Sequence, residues 1–168
     1  LHKMEIGGVV AGIADAASLR TAAADILARA RRMRPEANIV GIQVQPMVRG
    51  LAEALLGVTR DAVTGPMITL GCGGTLAELY RDVTMRRAPV TVETARQMIS
   101  EVRGLAIIDG YRNMPRGDVD ELAKAASALS LLALADVDEA EINPIYIHAE
   151  GQGVTAVDAV LTRRHRDA

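Results

Sequence analysis

The stretch EINPIYIHAEGQGVTAVDAV, residues 141–160, narrows what this chain can fold into more than any other. It reads as two apolar runs joined by a polar turn, the pattern of an antiparallel hairpin. Each run carries one residue that strands avoid, Asn143 in the first and Asp158 in the second. A four-residue turn over 149–152 sets His148 opposite Gly153, and counting outward brings Asn143 opposite Asp158 on one face. Directly opposed Cβ atoms lie about 4.5–5.5 Å apart, and Glu141 falls on the same side two residues along. Two readings are open. Two carboxylates and an amide oxygen form a cluster suited to Mg²⁺, which takes a few protein oxygens and keeps waters or phosphate for the rest. Alternatively, Asp158 bonds the Asn143 amide and Glu141 is solvated.

The core of such a chain must be aliphatic, because it contains three Tyr and no Phe or Trp among 168 residues. The same scarcity removes the stacking platforms on which single-stranded nucleic acid is read. Lys and Arg total 19 against 21 Asp and Glu, so no basic field exists to hold a polyanion over a long path. The clusters RARRMR (29–34) and RRHR (163–166) read as a solvated helix end and a tail. No nucleic-acid partner is expected, and no membrane partner, since no apolar run approaches the roughly 20 residues of a bilayer span. The single Cys72 excludes an internal disulfide, and a cytoplasmic location is expected. The opening LHKMEIGG has no initiator Met, which suggests a piece of a longer protein.

Along the chain, a strand-like start (IGGVVAGIA) leads to a helix that Asp15 can cap. Its stripe runs through Leu19, Ala23, Ile26 and Ala30, and Pro35 marks its stop. The β-branched run 39–48 predicts a strand, broken by Gly50. Two more strands, EALLGVTR and PMITLG, flank the turn DAVTG, and a further strand-like segment spans 76–90. Helices are predicted over 92–103, capped by Thr91, and 119–134, where Asp118 and Glu121 resemble a capping box. The stretch 109–118 is rich in turn formers. This order suits an α+β protein rather than a doubly wound sheet.

Two further motifs bear on chemistry. GCGGT (71–75) follows an apolar strand, and successive glycines let backbone N–H groups converge on an anion, although such glycines also simply make turns. No Gly-Lys-Ser/Thr follows, so it is not a P-loop. HKMEIGG puts His2, a potential phosphate acceptor, beside Lys3, a potential phosphate ligand, although His2 is equally read as a plain terminal residue. Cys72 lies in the glycine loop without a base to activate it and reads as packing.

The ordered set LHKMEIGGVVAGI, GVTRDAVTGPMITLGCGGTLAELYRDVTMRRAPV, IIDGYRNMP and EINPIYI…VTAVDAVL resembles the ATP-grasp region of the NDP-forming acyl-CoA synthetases. These are the ADP-forming acetate–CoA ligases, related to the succinyl-CoA synthetase β subunit, and the resemblance covers nearly the whole chain. It implies an ATP-grasp fold of two α+β lobes with Mg²⁺ and ATP or ADP between them, here with a truncated N lobe. Residues 1–48 would be the end of that lobe and 49–168 the C lobe. The implied reaction is acyl-CoA + ADP + phosphate ⇌ carboxylate + CoA + ATP, through acyl phosphate and phosphohistidine. By resemblance, Asn143 and Asp158 match the metal ligands, with Glu141 in support. Gly73 and Gly74 approach the phosphates, Lys3 and Glu53 touch the nucleotide, Val48 leads into the hinge and His2 carries the phosphoryl group. Arg86 matches a family arginine without an assigned role, and Pro46 stands where the family often has Glu. Implied partners are the CoA-binding and phosphohistidine-bearing domains or subunit, a small carboxylate, and further copies or subunits in an oligomer. The fragment alone is expected to be inactive. The alternative implied by related fusions is a ligand-sensing domain of a protein acetyltransferase without ligase activity.

Overall fold

The computed structural model describes residues 7–74 and 81–163. The chain separates into two compact units, Leu1–Met47 and Val48–Ala168. The first unit holds helix α1 (Ala16–Met33). Asp15 caps it as expected, accepting the Ser18 N–H at 2.7 Å while the Ser18 hydroxyl accepts the Asp15 N–H at 3.2 Å. The helix ends two residues before Pro35. None of its residues is fully buried.

The run 39–48 forms no strand, and the described part of the strand-like start, 7–13, forms none either. Val40 is 94% exposed, and Val44 and Met47 are 65% exposed. β-branched residues prefer extended backbone, but a strand exists only where a neighbour takes its N–H and C=O groups, and none does so among the described residues.

The second unit is a sheet backed on one face by helices. β1 (Ala52–Asp61), β2 (Gly65–Cys72), β3 (Val83–Arg87), β4 (Val137–Ile147), β5 (Val154–Ala156) and β6 (Ala159–Arg163) pair antiparallel in the order β3-β2-β1-β4, with β5 and β6 both on the outer edge of β4. The β1–β2 hairpin closes on Asp61, whose Oδ1 accepts the N–H groups of Val63 and Thr64 at 2.8 and 2.7 Å.

Between β3 and β4 the chain supplies α2 (Val92–Glu101), a 3₁₀ stretch Arg103–Asp109, α3 (Val119–Ser130) and a 3₁₀ turn Leu131–Leu134. Thr91 caps α2 through the Thr94 N–H, and Asp118 caps α3 through the Glu121 N–H at 3.1 Å. The capping box at α3 is not closed, because the Glu121 carboxylate pairs with Lys124 instead. Both helices are shorter than their apolar patterns suggest; each gives way to 3₁₀ turns. The turn-rich stretch is itself partly 3₁₀, over Tyr111–Asn113.

The core lies between the sheet and these helices. Ala54, Leu56 and Val58 of β1 and Ile68 and Leu70 of β2 face Ala95, Met98, Leu122, Ala123 and Ala126. Aliphatic side chains alone fill it, as the aromatic count requires.

β4 contains the irregularity that shapes everything built on it. Ala54 pairs with Ile145, yet Leu56, two residues on, pairs with Ile142. Asn143 and Pro144 together oppose Leu55, a β-bulge of one extra residue. Side chains alternate between faces with period two, so the extra residue lets Ala140 and Ile142 before it, and Ile145 and Ile147 after it, all point to the core side.

Candidate functional site

The hairpin at the chain end has the expected register. The Gln152 N–H donates to the Ala149 carbonyl at 2.8 Å and closes the turn, and the His148 N–H donates to the Gly153 carbonyl at 3.1 Å. Ile145 then pairs with Ala156, and Ile142 with Ala159. Between these pairs, where β5 gives way to β6, the Asn143 N–H donates to the Asp158 carbonyl at 3.1 Å and the Val157 N–H to the Pro144 carbonyl at 3.2 Å. Asn143 and Asp158 therefore stand opposite each other. They share the face turned away from the helices with Glu141, which pairs with Gly57.

Two other elements reach the same face. Glu53 of β1 pairs with Tyr146 of β4. The glycine loop leaves β2 at Cys72 and turns back over β1. The Gly73 N–H donates to the Glu53 carbonyl at 2.8 Å, and a Cβ on Gly73 would stand 2.6 Å from the Ala54 carbonyl oxygen. Gly74 has φ +77, and a Cβ there would fall on the Glu53 carboxylate. The Gly74 N–H points to the Asn143 side-chain oxygen at 3.4 Å. Glycine is required along this path by space at Gly73, against the Ala54 backbone, and by conformation at Gly74. The structure thus brings Gly73, Gly74, Glu53 and Asn143 into contact, with Asp158 and Glu141 beside them on the open face. His2 and Lys3 lie outside the described residues, as does Thr75, and Val48 begins the second unit half-buried.

The donor set is hard: an amide oxygen flanked by carboxylates, without sulfur or imidazole. Among the described residues, no three of His, Cys, Asp and Glu stand close enough to hold a metal ion by themselves. A pair of protein oxygens with the remaining positions left to phosphate and water suits Mg²⁺.

Arg86 acquires a role that the sequence did not reveal. It points to the helix side, donates to the Thr84 hydroxyl at 3.1 Å and pairs with Glu101 at the end of α2. The Thr84 hydroxyl and Arg86 together hold the Glu101 carboxyl below its ordinary pKa. Arg86 fastens β3 to the helix layer. Asp82 does similar work: it accepts the Arg103 and Gly104 N–H groups at 3.2 and 2.6 Å and lies beside the Cys72 thiol. Burial, then the charge of Asp82, pushes that thiol's pKa up, so Cys72 packs rather than reacts. Tyr146 carries no signal in the sequence, because Glu53 becomes its neighbour only once β1 and β4 pair.

The sequence profile of the ATP-grasp domain matches residues 1–162. The chain belongs to the ATP-grasp family. It is similar to the Acetate–CoA ligase [ADP-forming] II subunit beta of Pyrococcus furiosus, with 33% identity over 95% of this chain and 69% of that subunit. It is also similar to Acetate–CoA ligase [ADP-forming] I of Archaeoglobus fulgidus, with 35% identity over 96% of this chain and 24% of that protein. Among solved structures, the dinucleotide-forming acetyl-coenzyme A synthetase 1 of Ca. Korarchaeum cryptofilum superposes with a TM-score of 0.81 at 28% identity, covering 98% of this chain and 71% of that one. That protein was captured with coenzyme A and Mg-AMPPCP, its phosphohistidine segment pointing towards the nucleotide binding site. The ATP-grasp chain thus corresponds to the nucleotide-binding part of ADP-forming acyl-CoA ligases and spans about a quarter of the longer relative. Among its described residues, no helix is long and apolar enough to cross a membrane.

Proposed function

We propose that this chain is the nucleotide-binding part of an ADP-forming acyl-CoA ligase that interconverts acyl-CoA, ADP and phosphate with carboxylate, CoA and ATP. The observation that carries the reading is the convergence on one open sheet face of a glycine turn, Gly73–Gly74, with the opposed pair Asn143 and Asp158. Phosphoryl transfer asks a protein for charge neutralisation and alignment more than for covalent help. The backbone N–H groups of the turn suit phosphate oxygens. Asn143 and Asp158 would hold Mg²⁺, with Glu141 supporting them, and Mg²⁺ when bound neutralises charge on the phosphates. Glu53 contacts the turn; in this reading it also touches the nucleotide, and Val48 leads into the hinge.

Lys3 serves as a further phosphate ligand in this reading, and His2 as the carrier. The His2 ring nitrogen takes a phosphoryl group delivered from a phosphohistidine-bearing domain or subunit. ADP then attacks phosphorus, the N–P bond breaks as the O–P bond of ATP forms, and His2 is restored. A carrier divides a long transfer into two local ones. A CoA-binding domain supplies the acyl chemistry, and the assembly works in the cytoplasm as an oligomer.

The test uses the complete protein with its partner domains. It is incubated with ATP, Mg²⁺, CoA and a panel of short carboxylates, and ADP release is followed beside Asp158→Ala. CoA-dependent release that Asp158→Ala abolishes is the expected result. Undiminished turnover in Asp158→Ala would sink the metal assignment, and Mg-ATP binding without any turnover would point to a ligand-sensing domain instead.

A further inference from the structure

Tyr146 stands in β4 opposite Glu53 of β1, on the open face. Burial, the charge of Glu53 and a side-chain hydrogen bond to it all push the Tyr146 pKa up. The phenol is therefore protonated at neutral pH and is the donor in the pair, with the carboxylate as acceptor. Glu53 in turn meets the glycine turn twice, once by a backbone hydrogen bond and once by close approach of its carboxylate. Its backbone carbonyl takes the Gly73 N–H at 2.8 Å, and its carboxylate occupies the space where a Gly74 side chain would be. Asn143 closes the turn from the other side through the Gly74 N–H. A glutamate on an open face samples several rotamers, and a donor fixed on the neighbouring strand selects one of them. The phenol also gives the Glu53 charge a partner. This matters beside a polyanion, which an unpartnered carboxylate would repel.

We infer that Tyr146 is a positioning residue for the glycine turn: through Glu53 it fixes the backbone of Gly73 and Gly74 in the shape that receives the phosphates of a nucleotide. The inference rests on the proposed reading of that turn as a phosphate site. It assigns work to a strand residue that touches neither phosphate nor metal.

The test compares Tyr146→Phe, Glu53→Ala and the double variant in the complete protein, titrated separately with Mg-ADP and with adenosine. Hydrogen exchange at the Gly74 amide is measured without nucleotide. Losing a hydrogen bond to a charged group should weaken Mg-ADP binding by about tenfold in Tyr146→Phe, with adenosine unaffected and the Gly74 amide exchanging faster. On the Glu53→Ala background, Tyr146→Phe should add nothing, the signature of residues acting in series. The melting temperature should fall by only a few degrees, about what one lost hydrogen bond costs, because the phenyl ring still fills the space. Equal losses for Mg-ADP and adenosine would overturn the inference, as would an unchanged Gly74 exchange rate. A wild-type protein that binds no Mg-ADP overturns the phosphate-site reading instead, and the exchange rate still decides whether Tyr146 orders the turn.

Discussion

Replacing Asp118 should test how the site hairpin is held to the helix layer. Asp118 is 5% exposed, and its two carboxylate oxygens serve two elements. One accepts the Glu121 N–H at 3.1 Å and caps α3; the other accepts the Gly153 N–H at 2.8 Å beside the 149–152 turn. The Asp118 N–H adds a bond to the His148 carbonyl at 2.9 Å. A hydrogen bond to a charged group contributes about 1.5–3 kcal/mol net. Both orphaned N–H groups belong to half-buried residues that water can partly reach. Asp118→Ala should then cost about 3 kcal/mol, near the low end for two such bonds. Asp118→Asn keeps one acceptor oxygen for the cap but turns an amino group toward the Gly153 N–H, so about half that loss is expected. Urea unfolding of the complete protein should show the midpoint falling at unchanged slope in the order wild type, Asn, Ala. Each kcal/mol should lower Tm by about 2–4 °C at this chain size. Because the hairpin sets Asn143 against Asp158, Mg-nucleotide binding should weaken in the same order. An Asp118→Ala protein within about 0.5 kcal/mol of wild type, or an Asn variant as damaged as Ala, would refute this account.

The same carboxylate predicts a pH dependence. The Gly153 N–H, first among several, holds its folded pKa below the ordinary value. Its contribution is therefore present above the unfolded carboxylate pKa of about 4 and disappears as pH falls through the lower folded value. Urea midpoints below that pH should fall more steeply in wild type than in Asp118→Asn. Gly104→Ala should cost about 1–3 kcal/mol by overpacking, since a Cβ there would fall on the Cys72 sulfur; adding Cys72→Ala should recover part of the loss in calorimetry. The raised pKa of Cys72 predicts slow alkylation at mildly alkaline pH in the folded protein, faster in urea and intermediate in Asp82→Asn, read by mass spectrometry.

The hairpin carrying Asn143 and Asp158 was legible because, once a four-residue turn over 149–152 is assumed, period-two alternation fixes every pair; the turn has that length in the structure. The helix starts were legible too: Asp15, Thr91 and Asp118 each announce a cap that the structure contains. Residues 39–48 misled because strand composition describes a preference for extended backbone and says nothing about whether a neighbour is there to pair. The contact between Gly74 and Asn143 and the pairing of Glu53 with Tyr146 join segments far apart in sequence. They depend on the β1–β4 register, which no local pattern contains. Arg86 could be noticed but not interpreted, since Glu101 meets it only after α2 packs behind β3.

The extra residue at Asn143–Pro144 has a consequence for how the sheet finds its alignment. An unbroken alternating strand can slide by two residues and still show its apolar side chains to the core, so its misalignments are nearly degenerate with the correct one. β4 is two short alternating segments set out of step, with Ile142 ending one and Ile145 opening the other. A slide by two residues would carry the bulge with β4 to Glu53 or Gly57 and leave the isoleucines inward, but it would take Asn143 away from the Gly74 N–H. Only the observed alignment keeps the glycine turn and the bulge in contact.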